Sequence, residues 1–412
     1  MTDPLHATID ALMRERKIDV LLIDGNSIGH PAFFRLARGA KLEHATLVYK
    51  RGGRKLLVGI DFERDNAART GFEFLPISKT QAGRLRKTHA GDPVGYRVAY
   101  LLSLLRAVRA KGRLALYGAT TLEGSLPWLQ RFRREAKRAG LTLVEERSPL
   151  LDRAREIKTE EEIERIRRAG QGTCAAFDAI RRRIARCGLH GRTLVERGGA
   201  PLTIGALKAT MRETLMKHGL AEESACIVAQ GEEAGVPHNE GSDERKVVAG
   251  QPIVIDIFPR ENPYGYFFDM TRTFCPGKAP AALKRLHRDV AEALTVGYEA
   301  FEPGVEAYEL HLRVARFLEG KGYETLHSHP GTQVGFCHSL GHGVGLEVHE
   351  EPFMRPGSPK PLEPGMILTL EPGLYYPEKK LGLRLEDTVV VREGTLERLV
   401  DYPLTLEVPL RG

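Results

Sequence analysis

The strongest constraint on this chain is a set of carboxylates embedded in apolar strand sequence. Asp256 stands in PIVIDIF (252–258), flanked by Ile253, Val254, Ile255 and Ile257, and Asp269 stands in the β-rich run GYFFDMTRTF (265–274). Burying an ionised carboxylate is costly unless it is paired, hydrogen-bonded or bound to a cation, so a fold that buries these strands must bring counter-charge to them. The intervening PRENPYG is turn-like and predicts a hairpin with its tip near Asn262–Pro263, the two acids facing each other across it. The arrangement recurs: Glu371 ends MILTLE (366–371) and Glu386 sits in LRLEDTVVV (383–391), with a Gly/Pro/Lys-rich loop between. One such pair reads equally well as a salt-bridged or turn-anchoring pair. Two of them beside a histidine cluster mark a site.

That cluster is HSLGHGVGLEVHEEP, with His338, His342 and His349. Glycines on both sides of His342 predict that the backbone passes close to whatever the imidazole touches. His238, in the polar loop GVPHNEGSD, lies eighteen residues before Asp256. Four carboxylates and one imidazole form a hard, oxygen-rich donor set, and two divalent cations would neutralise its formal charge. Mn²⁺ suits it best, with Co²⁺, Zn²⁺ and Fe²⁺ also compatible. Ions bridged by carboxylates lower the pKa of a shared water toward neutrality, which is the chemistry of hydrolysis. The five cysteines are scattered without C-x-x-C spacing, so buried reduced thiols are expected, not disulfides or a thiolate zinc site.

A length of 412 residues predicts two domains, and 42% hydrophobic with 28% charged residues describes a soluble globular chain. Residues 1–150 read as mixed α/β: a strand over IDVLLID (18–24), a hairpin around Gly52-Gly53 in 45–60, a helix over 96–112, then LALYG and LTLVEE strands around a basic helix. Residues 151–412 open with two helices, about 158–187 and 204–218, and continue as short strands punctuated by Gly/Pro turns and two more helices, an α+β pattern. No run is apolar for long enough to span a membrane. The N-terminus lacks the basic start and apolar centre of a signal peptide, so a cytoplasmic location is expected. Residues 1–150 carry 27 basic and 15 acidic side chains, the rest 34 and 39. The basic segments QRFRREAKRAG (130–140) and AIRRRIARCG (179–188) lack interleaved aromatics and read as solvated helix faces, not as a nucleic-acid surface. Gly25-Asn26-Ser27-Ile28-Gly29 fits a nucleophile-elbow spacing, but it would leave the acid and histidine set unexplained.

The second half resembles the pita-bread metallopeptidases, in the proline-directed branch containing aminopeptidase P and prolidase. The family's pattern of Asp, G-Y-x-x-D-x-T-R-T, H-x-x-G-H-G-x-G-x-x-x-H-E-x-P, E-P-G and R-x-E-D is all present. The resemblance implies a pita-bread catalytic domain over 151–412, preceded by a creatinase-like α/β domain over 1–150. It implies Asp256, Asp269, His342, Glu371 and Glu386 as ligands of two metal ions, with Glu371 also the general base. His238, His338 and His349 would line the substrate site, Arg384 would support it, and Tyr375 would fall at the aromatic wall of the proline pocket. The implied activity is hydrolysis at an Xaa-Pro bond, as an aminopeptidase or alternatively a dipeptidase, on proline-containing peptides and by a homodimer or larger homo-oligomer. A creatinase-like amidinohydrolase and a non-catalytic binding protein are the more distant alternatives. Asp256 and Asp269 are thirteen residues apart, two more than is common in the family. An even insertion keeps each side chain on its face, so the extra residues should lengthen the hairpin tip.

Overall fold

A computed structural model describes residues 4–118, 122–357 and 359–410. The chain forms two compact units, Met1–Arg155 and Glu156–Gly412. Among the described residues no helix is long and apolar enough to cross a membrane.

The first unit is built on six strands: β1 (Val20–Gly25), β2 (Ala45–Lys50), β3 (Lys55–Gly59), β4 (Glu73–Pro76), β5 (Gly112–Tyr117) and β6 (Leu141–Leu143). They lie in the order β4-β3-β2-β1-β5-β6. β1, β2 and β3 pair antiparallel, while β3–β4, β1–β5 and β5–β6 are parallel. Each face of this mixed sheet has its own apolar layer. Leu21, Ile23, Leu47 and Leu57 pack with Ile9 and Met13 of the helix Pro4–Glu15. Val20, Leu22, Val48 and Leu56 pack with Leu101 and Leu105 of the helix Pro93–Ala107. Alternation along β1 therefore feeds both layers, as strand period two requires. Ser27, at the elbow-like spacing, is fully buried; its hydroxyl donates to Ala40 O at 2.7 Å and accepts from Leu42 N–H at 2.9 Å. It holds a loop together.

The second unit carries strands β7 (Gly188–His190), β8 (Thr193–Val195), β9 (Leu220–Ala221), β10 (Ile227–Gln230), β11 (Ile253–Ile257), β12 (Arg260–Glu261) and β13 (Met270–Pro276). They are followed by β14 (His342–Gly343), β15 (Glu350–Phe353), β16 (Ile367–Leu370), β17 (Gly373–Tyr376), β18 (Leu381–Arg384), β19 (Asp387–Val391), β20 (Leu396–Arg398) and β21 (Glu407–Val408). One sheet runs β10-β11-β13-β21 and another β15-β14-β16-β19-β20, with β17–β18 as a separate ladder. The helices Ala281–Glu299 and Ala307–Gly320 bury Leu283, Val290, Leu294, Leu310, Val314 and Leu318 in the same core as Leu368, Leu370, Val389 and Val391 of β16 and β19. The helix Glu160–Ala185 starts at a Thr159–Glu162 capping box. Gly170 lets this helix close on the strand that leads to the site, since a Cβ there would stand 2.6 Å from the Phe268 ring.

The first acid hairpin differs from the facing pair expected from sequence. β11 pairs with β13 in the register Asp256↔Thr271, so Asp269 is displaced two positions along the same face and is a diagonal neighbour of Asp256. The turn does fall at residues 262–264, where Gly265 N–H donates to Glu261 O. Before it the hairpin continues through Arg260↔Phe267 and Glu261 N–H to Tyr266 O, and the same residues also pair outward, as β12 with β9.

Candidate active site

Three of the four acids stand where a ladder breaks. Asp269 immediately precedes β13, Glu371 immediately follows β16, and Glu386 lies between β18 and β19. Only Asp256 is inside a strand, contrary to the continuous strands expected for the others. Leu370↔Asp387 and Gly373↔Arg384 share one register, which places Glu371 opposite Glu386. At that point the ladder opens. Glu371 N–H turns to Leu340 O at 2.8 Å and Glu386 N–H to Thr271 O at 3.0 Å, so each acid is tied to a different neighbouring segment. The carboxylates thereby converge with their backbone amides still bonded.

His342 enters from β14. Its Nε2 lies 3.5 Å from Glu371 Oε1 and 3.7 Å from Asp269 Oδ2, and its Nδ1 is 3.1 Å from Gly343 O. The glycines beside it serve the backbone, not the imidazole as expected. A Cβ on Gly341 would meet Thr369 O at 2.0 Å and one on Gly343 would meet Glu351 O at 2.3 Å, so only glycine lets β14 lie between β15 and β16. His349 packs edge-on against His342, ring centres 4.3 Å apart. The loop behind it is held by the buried pair Lys158 Nζ–Glu350 Oε1 at 2.5 Å.

Thr271 and Arg384 organise the acids from behind. The Thr271 hydroxyl lies 2.8 Å from both Asp256 Oδ1 and Glu386 Oε2; its single proton serves one of them at a time. It accepts from Arg384 Nε at 3.0 Å, while Arg384 Nη2 donates to Asp256 Oδ2 at 2.6 Å and Nη1 to the Tyr375 hydroxyl at 2.7 Å. Sequence reading left Thr271 without a role, although the T-R-T motif contains it; a hydroxyl two residues after an in-strand acid, on the same face, was the available signal. Arg272, one residue on and facing away, donates to Asp387 Oδ1 at 2.7 Å and to Glu386 O at 2.6 Å.

A cavity of about 510 Å³ opens over the cluster, lined by all four acids, His342, His338, His349, His238 and Arg384, together with Glu240, Phe258 and Phe353. Tyr375 is the exception among the expected site residues. It is fully buried and absent from the lining, and it stands behind His338 (Nε2 to hydroxyl 3.2 Å) and Arg384. Its ring supports the wall from outside the cavity, because β17 turns that side chain into the core.

The electrostatics describe a site built for cations. Burial, then repulsion by Glu386, Asp256 and Glu371, holds the Asp269 carboxyl well above the usual carboxylate range. Burial and the neighbouring Glu371 and Asp256 do the same for Glu386. Burial raises Glu371 to about 8, with Arg384 opposing and Asp256 adding to the shift. His338 and His342 are each pushed down to about 3, chiefly by burial, and burial also lowers His349. Neutral imidazoles and crowded carboxylates are what a metal ion requires. Asp269, His342 and Glu386 each offer a ligand atom within 4.8 Å of the others, and Asp269 Oδ1 is buried with no hydrogen-bond partner among the described residues. An orphaned oxygen inside a cluster of acids fits a divalent ion.

Such an oxygen-rich set with one imidazole, lining a cavity on an α+β frame, defines a candidate divalent-metal centre. Residues 164–393, more than half of the chain, match metallopeptidase family M24, and the chain belongs to that family. It is 32% identical over 244 residues to the probable dipeptidase PepE of Mycobacterium tuberculosis, covering 59% of this chain and 58% of that one. It is 38% identical over 189 residues to the Xaa-Pro dipeptidase of Pyrococcus furiosus, covering 45% and 51%. The chain thus spans about half to three-fifths of the length of these curated relatives. Among solved structures, an X-Pro aminopeptidase from Thermotoga maritima matches with a TM-score of 0.71 at 25% identity, over 98% of this chain and 99% of that one. An Xaa-Pro dipeptidase from Bacillus anthracis matches with a TM-score of 0.75 at 22% identity over 98% of each, a likeness of fold. The pita-bread fold expected for the second half is the one observed.

Proposed function

We propose that the cavity is the active site of a metal-dependent exopeptidase that hydrolyses the bond between a first residue and a following proline. Release of that residue from longer peptides, as an Xaa-Pro aminopeptidase, is the main reading. Hydrolysis of Xaa-Pro dipeptides is the second, favoured by the dipeptidase names of the curated relatives. The observation that carries both is the convergence of Asp256, Asp269, Glu371, Glu386 and His342 on one cavity, where the buried Asp269 Oδ1 has no hydrogen-bond partner among the described residues.

Asp256, Asp269, His342, Glu371 and Glu386 would hold two divalent ions, and Mn²⁺ matches the donor set best. When bound, the ions supply Lewis-acid polarisation of the scissile carbonyl and acidify the attacking water. The remaining work falls to the chain's own residues. Glu371, whose carboxyl burial pushes up to about 8, takes the proton of the attacking water on a carboxylate oxygen and passes it to the leaving nitrogen. His349 and His238 line the cavity and donate to the developing oxyanion and the leaving imide. His338, braced by Ser339 O and the Tyr375 hydroxyl, presents a fixed wall to substrate. Arg384 holds the Asp256 carboxylate in place through Nη2. A tertiary Xaa-Pro amide has no N–H, so a site that selects the proline ring gains a substrate that ordinary peptidases bind poorly. A homodimer in the cytoplasm belongs to the same reading.

The test is hydrolysis of Xaa-Pro and Xaa-Pro-Yaa-Yaa peptides with Mn²⁺ and after chelation. Metal-dependent release of the first residue from the longer peptide is expected. Cleavage of the dipeptide alone would establish the second reading, and silence on both with metal bound would refute the proline assignment. Full turnover by Glu371→Ala would remove Glu371 from its role, and metal-free hydrolysis of creatine would place the chain with the amidinohydrolases instead.

A further inference from the structure

A second cavity, of about 540 Å³, lies between the C-terminal ends of the helices Glu160–Ala185 and Ile204–Lys217 and has no part in the chemistry above. The segment AIRRRIARCG builds one wall. Arg182, Arg183, Arg186, Arg197 and Lys217 line it against only Glu196 and Glu213, a net of +3. Arg183 is committed: it donates to Glu196 Oε1 at 2.8 Å, Ala206 O at 2.7 Å and Thr210 Oγ1 at 2.8 Å, forming a fixed floor. Among the described residues Arg182 reaches only Asp178, at 4.0 Å. Arg186, Arg197 and Lys217 are exposed and have no carboxylate partner among the described residues. The simplest alternative is that these cations complement the negative ends of the two helix dipoles. That accounts for Arg182, Arg186 and Lys217. It does not account for Arg197, which comes from the loop after β8, nor for the convergence of all four on one concavity.

We infer that this cavity binds a compact polyanion bearing two or more phosphoryl groups. Guanidinium forks match phosphoryl oxygens bidentately, and a cavity lined by an excess of cations, three of them without a carboxylate partner among the described residues, is relieved by a multivalent anion. No aromatic side chain lines the cavity, so the phosphate chain itself is what the site recognises, whether it belongs to a nucleotide or to inorganic polyphosphate.

The test is calorimetric titration of the full-length, Mn²⁺-loaded protein with tripolyphosphate and with ATP, at low and high salt. One site per chain is expected, with the two probes equal within about threefold and both weakened by salt through screening. Arg186→Glu with Arg197→Glu should weaken binding at least tenfold, while Xaa-Pro hydrolysis and thermal unfolding stay unchanged. Arg186→Gln with Arg197→Gln is the milder pair should charge reversal impair folding. Metal stripping by the probe would appear equally in the variants and is separated by them. Absence of binding at low salt, equal binding by wild type and variants, or a strong preference for ATP would each overturn the assignment.

Discussion

Thr271 offers the sharpest test of how the acids are organised. It is fully buried, and one hydroxyl touches Asp256, Glu386 and Arg384 at 2.8, 2.8 and 3.0 Å. Thr271→Val keeps the shape and removes the oxygen. Hydrogen bonds to charged groups contribute about 1.5–3 kcal/mol each, and leaving the buried Arg384 Nε unsatisfied costs about 1–3 kcal/mol more. Part of this is recovered, because Arg384 still holds Asp256 through Nη2 and Tyr375 through Nη1. A net loss of about 1.4–2.7 kcal/mol at the site corresponds to roughly 10- to 100-fold in ion affinity or kcat/KM, the usual range for a residue that orients metal ligands. Thr271→Ser retains the hydroxyl and removes one methyl, about 1 kcal/mol of packing, and should keep near-normal ion binding. The assay is Mn²⁺ titration of the stripped protein by calorimetry, followed by kcat/KM. A wild-type ion midpoint in the Val variant, or a Ser variant as damaged as Val, would refute the bridging role.

Two further outcomes follow from packing and titration elsewhere. Gly170→Ala should destabilise by about 1–3 kcal/mol, because its Cβ would stand 2.6 Å from the Phe268 ring and 2.8 Å from Val400 Cγ1; denaturant unfolding measures it, and an unchanged midpoint would contradict the close approach. His311 is buried, accepts from Leu340 N–H at 3.1 Å, and is pushed down to about 4, chiefly by burial. The unfolded chain, titrating near 6.5, therefore binds more protons between these values, so its contribution is complete above about pH 6.5 and is lost as pH falls toward 4. His311→Gln should flatten that part of the stability–pH curve, and an unaltered slope would exclude His311 as its source.

The chemistry-bearing residues were readable because their surroundings were incongruous: acids among isoleucines and valines, and three histidines among glycines. Strand period two carried further, since it kept Asp256 and Asp269 on one face through an even insertion in the tip between them. What local pattern could not supply was register. That Asp269 lies diagonal to Asp256, that Glu371 and Glu386 meet at a break in their ladder, and that Gly341 and Gly343 answer to neighbouring carbonyls are all decided by strands distant in sequence. Tyr375 shows the same limit, for the family resemblance pointed to the cavity wall and its strand turned it into the core. Sequence alone determined which groups must be buried, because side-chain chemistry and alternation are local. Only the tertiary structure decided which of them touch, because Thr271, Arg384 and the unpartnered oxygen of Asp269 acquire meaning from contacts that more than a hundred intervening residues bring together.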